Sequence, residues 1–540
     1  MKLRINALLI LVCCLAHNNL VTAQSTQSES VRSSGGMYVD HGTAITLDED
    51  GNMYVTGGFQ SEVQFGGTRL SSKGDSDAFI AKYNAMGEPI WCNQVGGDTV
   101  LRSSLTEYGA DILFYDGFIY VTGVFLSSAK FSNIEVVSHG MDDIFLAKYA
   151  LNGQLIWVKT AGGASQDVPH ALAIDNLGGI YLTGSFQGKT KFSNTQLESQ
   201  NSTDMFFVKY NTNGDLLWAR QSQSEQEGLG RKVTCNEQGC IVAAEFKGRF
   251  KLGDITSTNT PERIGLAKYS LEGKTLWLKE IGENNHATVE DVVLNNKNLY
   301  MAGSFNGVMK WDANMLYSKG LQDAYLIRLD ENGNFVWAKS FGSVGNDTGK
   351  SISIDRANTV CLGGNFQQTI DFNDGSVLES RGADDIFLAQ LTGDGALLSL
   401  ESIGGAGQDH LNDVGMANDQ IFLTGFFRES INVRDFTQKS NGYSDILVAK
   451  INKETREHII RGGDLVKIYP IPSKGEFNIE STTKISSLEL INELGQVVNN
   501  VYVNFKTANC AEVKLGRNKG VYFISGYVDG KKFTRKVIVE

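Results

Sequence analysis

Tyr54-Val-Thr-Gly-Gly-Phe59, Tyr120-Val-Thr-Gly-Val-Phe125 and Tyr181-Leu-Thr-Gly-Ser-Phe186 are three copies of one segment, and weaker copies end at Phe246, Phe305, Phe366 and Phe427. The motif phenylalanines follow one another at 66, 61, 60, 59, 61 and 61 residues, and such a fixed period marks a repeat architecture. A second segment starts 17 to 19 residues after each phenylalanine, as in Asp77-Ala-Phe-Ile-Ala-Lys-Tyr83 and Asp204-Met-Phe-Phe-Val-Lys-Tyr210. A third is a turn followed by tryptophan: Asn152-Gly153 to Trp157, Asn213-Gly214 to Trp218, Asn332-Gly333 to Trp337, with Trp91 and Trp277 in register. Ser399 replaces the tryptophan in copy six, and copy seven lacks the turn glycine.

Each copy supplies about four short strands; in copy three these are Ala171 to Asp175, Ile180 to Phe186, Asp204 to Tyr210 and Leu216 to Ala219. Runs such as Phe79-Ile80-Ala81 are apolar on both faces, so both faces of each sheet must be covered. A propeller does this, because each blade packs between two neighbours. The expected fold is all-β: a seven-bladed β-propeller over 36–462, then a small Ig-like β-sandwich over 463–540. A β-solenoid fits less well, since its repeats are shorter. Ring closure has two candidates, a fourth strand of copy seven near His458 to Arg461 or a strand from Val31 to Met37. Residues 24–35 are otherwise read as an N-terminal segment outside the repeats and without fixed order.

The repeat resembles the bacterial SBBP β-propeller repeat in Gly162-Gly163-Ala-Ser-Gln-Asp167, Ala173-Ile174-Asp175 and Gly179-Ile-Tyr-Leu-Thr-Gly184. The resemblance covers about residues 36 to 462 and implies a fold, not an activity. Past Gly462-Gly463 the register breaks. The tail resembles the type A C-terminal sorting domain of the type IX (Por) secretion system, through Tyr469-Pro470-Ile471-Pro472, Gly475, Phe477, Gly495, Gly520-Val521-Tyr522-Phe523 and Lys536. The family has Asn where Ile471 stands. The resemblance implies a Gram-negative source, the type IX machinery as a partner, passage across the outer membrane and removal of the tail. The plainer alternative is an ordinary Ig-like adhesive domain.

The N-terminus reads as a signal peptide over 1–23: Lys2 and Arg4, an apolar run from Ala7 to Ala16, and Val21-Thr22-Ala23 before the cut. A lipoprotein cut at Cys13 or Cys14 lacks the small preceding residue. The chain is acidic, with net charge −12, and shows no basic patch, which argues against nucleic acid and anionic membranes. It has 59 glycines and 5 prolines, a composition of many tight turns. Five cysteines beyond the signal do not make a disulfide scaffold. Cys235 and Cys240 flank one turn and could pair, although two small strand residues explain them as well.

No phosphate loop, nucleophile elbow or zinc-protease motif appears. Asp48 to Gly51 resembles the start of a calcium loop but lacks the remaining ligands, so a turn-stabilising Asp is the better reading. The aspartates opening the third strand, Asp77, Asp143, Asp204, Asp323, Asp385 and Asp445, read as turn caps too. His170 and His410 read as loop residues. One recurrent set suggests a site: 18 or 19 residues before each motif phenylalanine stand Asp40, Glu107, Asp167, Glu227, His286, Asp347 and Asp409. In a propeller these lie at one mouth of the channel, where a ring of acids would attract a cation, Ca2+ included, or a basic ligand. Alternatively each acid accepts N–H bonds within its own loop. No resident cofactor or metal centre is expected. The function expected is that of a non-catalytic surface binding or adhesion protein, acting as a monomer on an extracellular protein or glycan. The alternative is a polysaccharide hydrolase or lyase with funnel carboxylates.

Overall fold

In copy three the strands run Asp167–Ile174, Ile180–Phe186, Asp204–Tyr210 and Leu216–Ser224, each antiparallel to the next. The computed structural model describes residues 29–539 apart from 99–106, 200–202, 258–261, 283–285, 312, 374, 454–465, 470–472, 482–483, 493–495, 499–500, 508, 516–518 and 529–530. Among the described residues every regular element is a strand, and the same four-strand order recurs in all seven copies. The expected signal peptide, and the strand expected at 458–461, lie outside the described residues.

Local chemistry sets the turns. Asp175 Oδ1 accepts the N–H groups of Leu177 and Gly179, closing the first hairpin, and its Oδ2 accepts the Tyr181 hydroxyl at 2.7 Å. Asp48 does the same for Asp50, Asn52 and Tyr54, so the calcium-like tetrad is a turn cap. Asn211 closes the hairpin before the fourth strand, taking the N–H groups of Asn213 and Asp215. Gly273, in the matching turn of copy four, has φ +79° and lies flat on Trp218 of copy three; a Cβ there would come within 2.9 Å of the indole. The Trp218 indole N–H donates to Leu271 O at 3.0 Å in the same turn. Trp91, Trp157 and Trp337 repeat this bond to Leu151, Thr212 and Gly393. Turn glycine and tryptophan, which recur together in the sequence, thus belong to one contact between successive copies.

The third strand is buried on both faces, with Met205, Phe206, Phe207 and Val208 at 0% exposure. Full burial of each such side chain contributes about 1.5–3 kcal/mol. The buried clusters run from copy to copy: Phe206 and Leu182 of copy three pack with Tyr120 and Ile144 of copy two. The sequence analysis gave no strand to the stretch between the second and third strands. It holds a hairpin, Lys189–Phe192 and Thr195–Glu198, that extends the sheet of the preceding copy through Ala161↔Phe192. Its polar alternation is the sign of a strand whose outer face meets water.

In copy seven the strands Asp409–Ala417, Gln420–Phe427 and Asp445–Asn452 are joined by Ser30–Ser34, which pairs antiparallel with Asp445–Asn452. Of the two candidate fourth strands, the N-terminal one is observed, over residues 30–34 instead of 31–37, so this part of the segment 24–35 belongs to the seventh sheet and is not an unordered stretch outside the repeats. Copies seven and one are also bonded directly, Ile45 N–H to Asp413 Oδ2 at 2.8 Å and Asn412 Nδ2 to Gly42 O at 2.7 Å.

Cys235 and Cys240 face each other across the first hairpin of copy four and form a disulfide, so they are more than two small strand residues. Beyond residue 465 two antiparallel sheets of four and three strands share a core of Phe477, Ile479, Val513, Ile524 and Val537.

Candidate functional site

The loop acids are held from behind. Asp40, Asp167, Asp347 and Asp409 are each wholly buried. Each accepts the backbone N–H four residues back, from Gly36 (2.6 Å), Gly163 (2.7 Å), Ser343 (3.1 Å) and Gly405 (2.6 Å). Asp167 also takes the Thr190 hydroxyl, at 2.5 Å. Glu107 is 2% exposed and accepts from Gly97 and Leu126. Only Glu227, half-buried and paired with Lys247 at 2.8 Å, and the exposed His286 differ. Of the two readings given above, the four aspartates follow the second, each accepting an N–H of its own loop, and they do not form an exposed ring of acids. Five of the six acids are buried: the four aspartates because the chain four residues back turns an N–H onto each carboxylate, and Glu107 through the N–H groups of Gly97 and Leu126.

The paired glycines explain that curl. A Cβ on Gly162 would lie 2.1 Å from Asp143 Cγ, and one on Gly163 would lie 1.9 Å from Lys189 O. Gly404-Gly405 stands in the same way against Asp385 and Ser430 O. The third-strand aspartates are themselves buried and capped, for example Asp143 by His139 N–H at 2.9 Å and Asp445 by Asn441 N–H at 3.0 Å. Two buried carboxyls thus meet at five of the seven junctions: Asp445 with Asp40, Asp77 with Glu107, Asp143 with Asp167, Asp323 with Asp347, Asp385 with Asp409. Burial, reinforced by the neighbouring acid, pushes Asp40, Asp167, Asp347 and Asp409 up to about 7 and Glu107 up to about 8.

The first strands carry a second polar set that the sequence analysis missed. Asp111 accepts the Leu172 N–H of the next copy at 2.7 Å, Asp291 that of Ile352 at 2.7 Å, and Asp413 that of Ile45. Lys232, from copy four, lies in the field of all three. Burial alone would lower its pKa; Asp291, Asp111 and Asp413 outweigh that and hold the ammonium above its usual range. Burial pushes Asp413 up to about 7 although Lys232 opposes it. Arg231–Glu245 and Lys350–Glu290 ion pairs, each 2.7 Å, lie on the same strands or their neighbours. The available signal was a charged residue four or five positions past the loop residue in copies two, four, five and seven (Asp111, Lys232, Asp291, Asp413), where copies one, three and six carry Ala44, Ala171 and Ser351. Among the described residues no group of three or more His, Cys, Asp or Glu could hold a metal ion.

His170 and His410 lie in first strands, not in loops. His170 bonds to Gly230 O, and burial lowers its pKa to about 4. His410 Nε2 lies 2.9 Å from Asp384 Oδ2.

In the tail, Tyr469 ends the first strand with its hydroxyl on Glu480, Gly475 sits at φ +94°, and Tyr522 is buried in the core. Gly520 opens the strand that carries Tyr522, and Lys536 pairs with Phe523 in register. Pro470, Pro472 and Gly495 lie outside the described residues. Residues 467–540 match the family of secretion system C-terminal sorting domains. The chain carries such a sorting domain. That domain implies interaction with the type IX secretion machinery and export to the cell surface or the extracellular space.

Similarity elsewhere is more distant. An uncharacterized WD repeat-containing protein L264 of Acanthamoeba polyphaga mimivirus is 25% identical over 332 residues, 49% of this chain and 24% of that protein. The regulatory protein FlaEY of Caulobacter vibrioides is 21% identical over 349 residues, 58% of this chain and 35% of that protein. The matches thus span a quarter to a third of these relatives. Among solved structures, the extracellular region of plexin A4 aligns over 92% of this chain and 66% of its own, with 6% identity and a TM-score of 0.40.

Proposed function

We propose that the chain is a non-catalytic binding or adhesion protein of the cell exterior, a closed seven-bladed propeller of SBBP-type repeats delivered by its sorting domain. The burial and capping of the loop acids is the observation that carries this reading. A glycoside hydrolase needs two carboxyls that face a substrate across a cleft, and these face one another's loops. Closure is supported by the Ser30–Ser34 strand in the seventh sheet and by the bonds from Asp413 and Asn412 to copy one. The WD-repeat relative supports propeller-type repeats in general.

The test has two arms. In a type IX-competent host the extracellular protein should begin near Gln24 and lack most of residues 465–540, and deleting that tail should hold the repeats in the periplasm. Intact Glu540 at the surface together with normal export of the deletion would overturn the export reading. The purified protein should then bind a polysaccharide or surface protein in a screen without releasing product. New reducing ends or unsaturated sugars would make it a hydrolase or lyase instead.

A further inference from the structure

Copy seven breaks the repeat at three neighbouring registers. The residue after the motif phenylalanine is Gln60, Leu126, Gln187, Lys247, Asn306 or Gln367 in copies one to six, and Arg428 in copy seven. The residue before it is Gly58, Val124, Ser185, Glu245, Ser304 or Asn365, and Phe426 in copy seven. Two places before the third-strand aspartate stands Tyr443, where copies one, two, five and six have Asp75, Met141, Leu321 and Ala383.

The fold gathers these substitutions. The Arg428 guanidinium lies 4.1 Å from the Tyr443 ring centroid, and its Nε is buried with no hydrogen-bond partner among the described residues. Arg231, Arg328 and Arg434, by contrast, are held by carboxylates. The Arg428 N–H donates to Gln408 O, and the Gln408 side chain reaches Asp384 at 2.7 Å and His410 at 3.2 Å. Asp384 holds His410 in place, and His410 packs on Phe426 with ring centroids 4.9 Å apart. Tyr443 and Ser444 donate backbone N–H groups to Met37 O and Tyr38 O. That brings Met37, Tyr38 and Tyr443 together, 73%, 51% and 55% exposed. A flat, solvent-facing apolar shelf therefore adjoins an unpaired cation and a fixed imidazole.

We propose that this shelf, at the meeting of copies six, seven and the N-terminal strand, binds an acidic sugar residue of an extracellular polysaccharide. The proposal rests on the binding reading above and names its ligand. Arg428, its Nε buried, offers the fork of its two terminal Nη groups to one carboxylate. Tyr38, and the side of Tyr443 away from the Arg428 guanidinium, offer apolar ring surface to the C–H side of a pyranose, with hydroxyl tips for its edge. His410 and Gln408 present polar edges to ring hydroxyls. A single unpaired guanidinium on an acidic chain suits a monoanionic carboxylate better than a doubly charged phosphate.

The probe is polygalacturonate, compared with its methyl ester and with dextran in affinity electrophoresis of the full chain. Polygalacturonate should retard the protein, and the two neutral polymers should not. Arg428→Gln and Tyr443→Ala should each weaken retention at least tenfold; Tyr443→Phe should restore it, which separates loss of the ring from misfolding. Lys247→Gln, at the equivalent place in copy four, should change nothing. Equal retention by polygalacturonate and its ester, or wild-type affinity in Arg428→Gln, would overturn the site and leave the binding reading standing. A protein ligand whose binding needs Arg428 would overturn the ligand class. Binding to no polysaccharide and no surface protein would overturn both.

Discussion

The junction carboxyls should make the repeats less stable as pH rises, and Asp167 and Asp347 allow a direct test. Each has a folded pKa near 7 against 3.8 for the free side chain. Between those values the folded protein keeps a proton that the unfolded chain has released. Their contribution is therefore fully present below about pH 4 and is lost as pH rises through about 7. A shift of about 3 units at ~1.4 kcal/mol each sets an upper bound on the order of 4 kcal/mol per junction. Water entering an ionised junction relieves part of this, so we expect about 1–2 kcal/mol each between pH 5 and pH 8. Asn at either position keeps an acceptor for Gly163 N–H or Ser343 N–H but cannot ionise. The double variant Asp167→Asn/Asp347→Asn should match wild type at pH 5 and exceed it at pH 8 by about 2–4 kcal/mol. Urea unfolding followed by tryptophan fluorescence is the assay, because all 6 tryptophans lie between Trp91 and Trp337 and the tail contributes none. A wild-type midpoint that is flat or rises from pH 5 to pH 8 would refute the reasoning, as would an unchanged pH slope in the double variant.

Other expectations follow from single contacts. Trp218→Ala removes a half-buried indole and its bond to Leu271 and should cost about 2–3 kcal/mol, while Gly273→Ala, strained at positive φ and blocked by Trp218, should cost about 1–2 kcal/mol by the same measurement. Lys232→Met leaves Asp111, Asp291 and Asp413 uncompensated and should cost on the order of 2–4 kcal/mol at pH 8 and less at pH 5. Thiol labelling of unreduced, unfolded protein should miss Cys235 and Cys240; because only 5 residues separate them, Cys235→Ser/Cys240→Ser should cost no more than about 2 kcal/mol.

Local features were legible in the sequence and distant ones were not. Asp175 Oδ1 and Asn211 take backbone N–H groups within four residues of themselves, so their spacing announced the turns. The role of Asp167 depends on Gly163 N–H, also local, yet the same spacing fits an exposed acid, and only the packing of Thr190 and Asp143 against it decides. The strand expected from Val31 to Met37 is found at Ser30–Ser34, but with one apolar residue and partners more than 400 residues away nothing in the sequence chose it over the stretch near His458. Lys232 looked like one more charge because the three aspartates around it come from copies two, five and seven. The substitutions at Phe426, Arg428 and Tyr443 were visible as departures from the repeat, but 17 residues separate Phe426 from Tyr443, and only the sheet brings them together.

The pairing of Ser30–Ser34 with Asp445–Asn452 also bears on how the array comes apart. A linear stack of repeats has two end units, each missing one neighbour, and it frays inward from them. Here Ser30–Ser34 pairs with the third strand of copy seven, and copy seven is bonded to copy one, so among the described residues both end copies have a neighbour. In the closed ring proposed above, melting would have no natural starting place, and a protease no loose repeat to peel away. A chain put together this way trades gradual decay for a single, abrupt threshold.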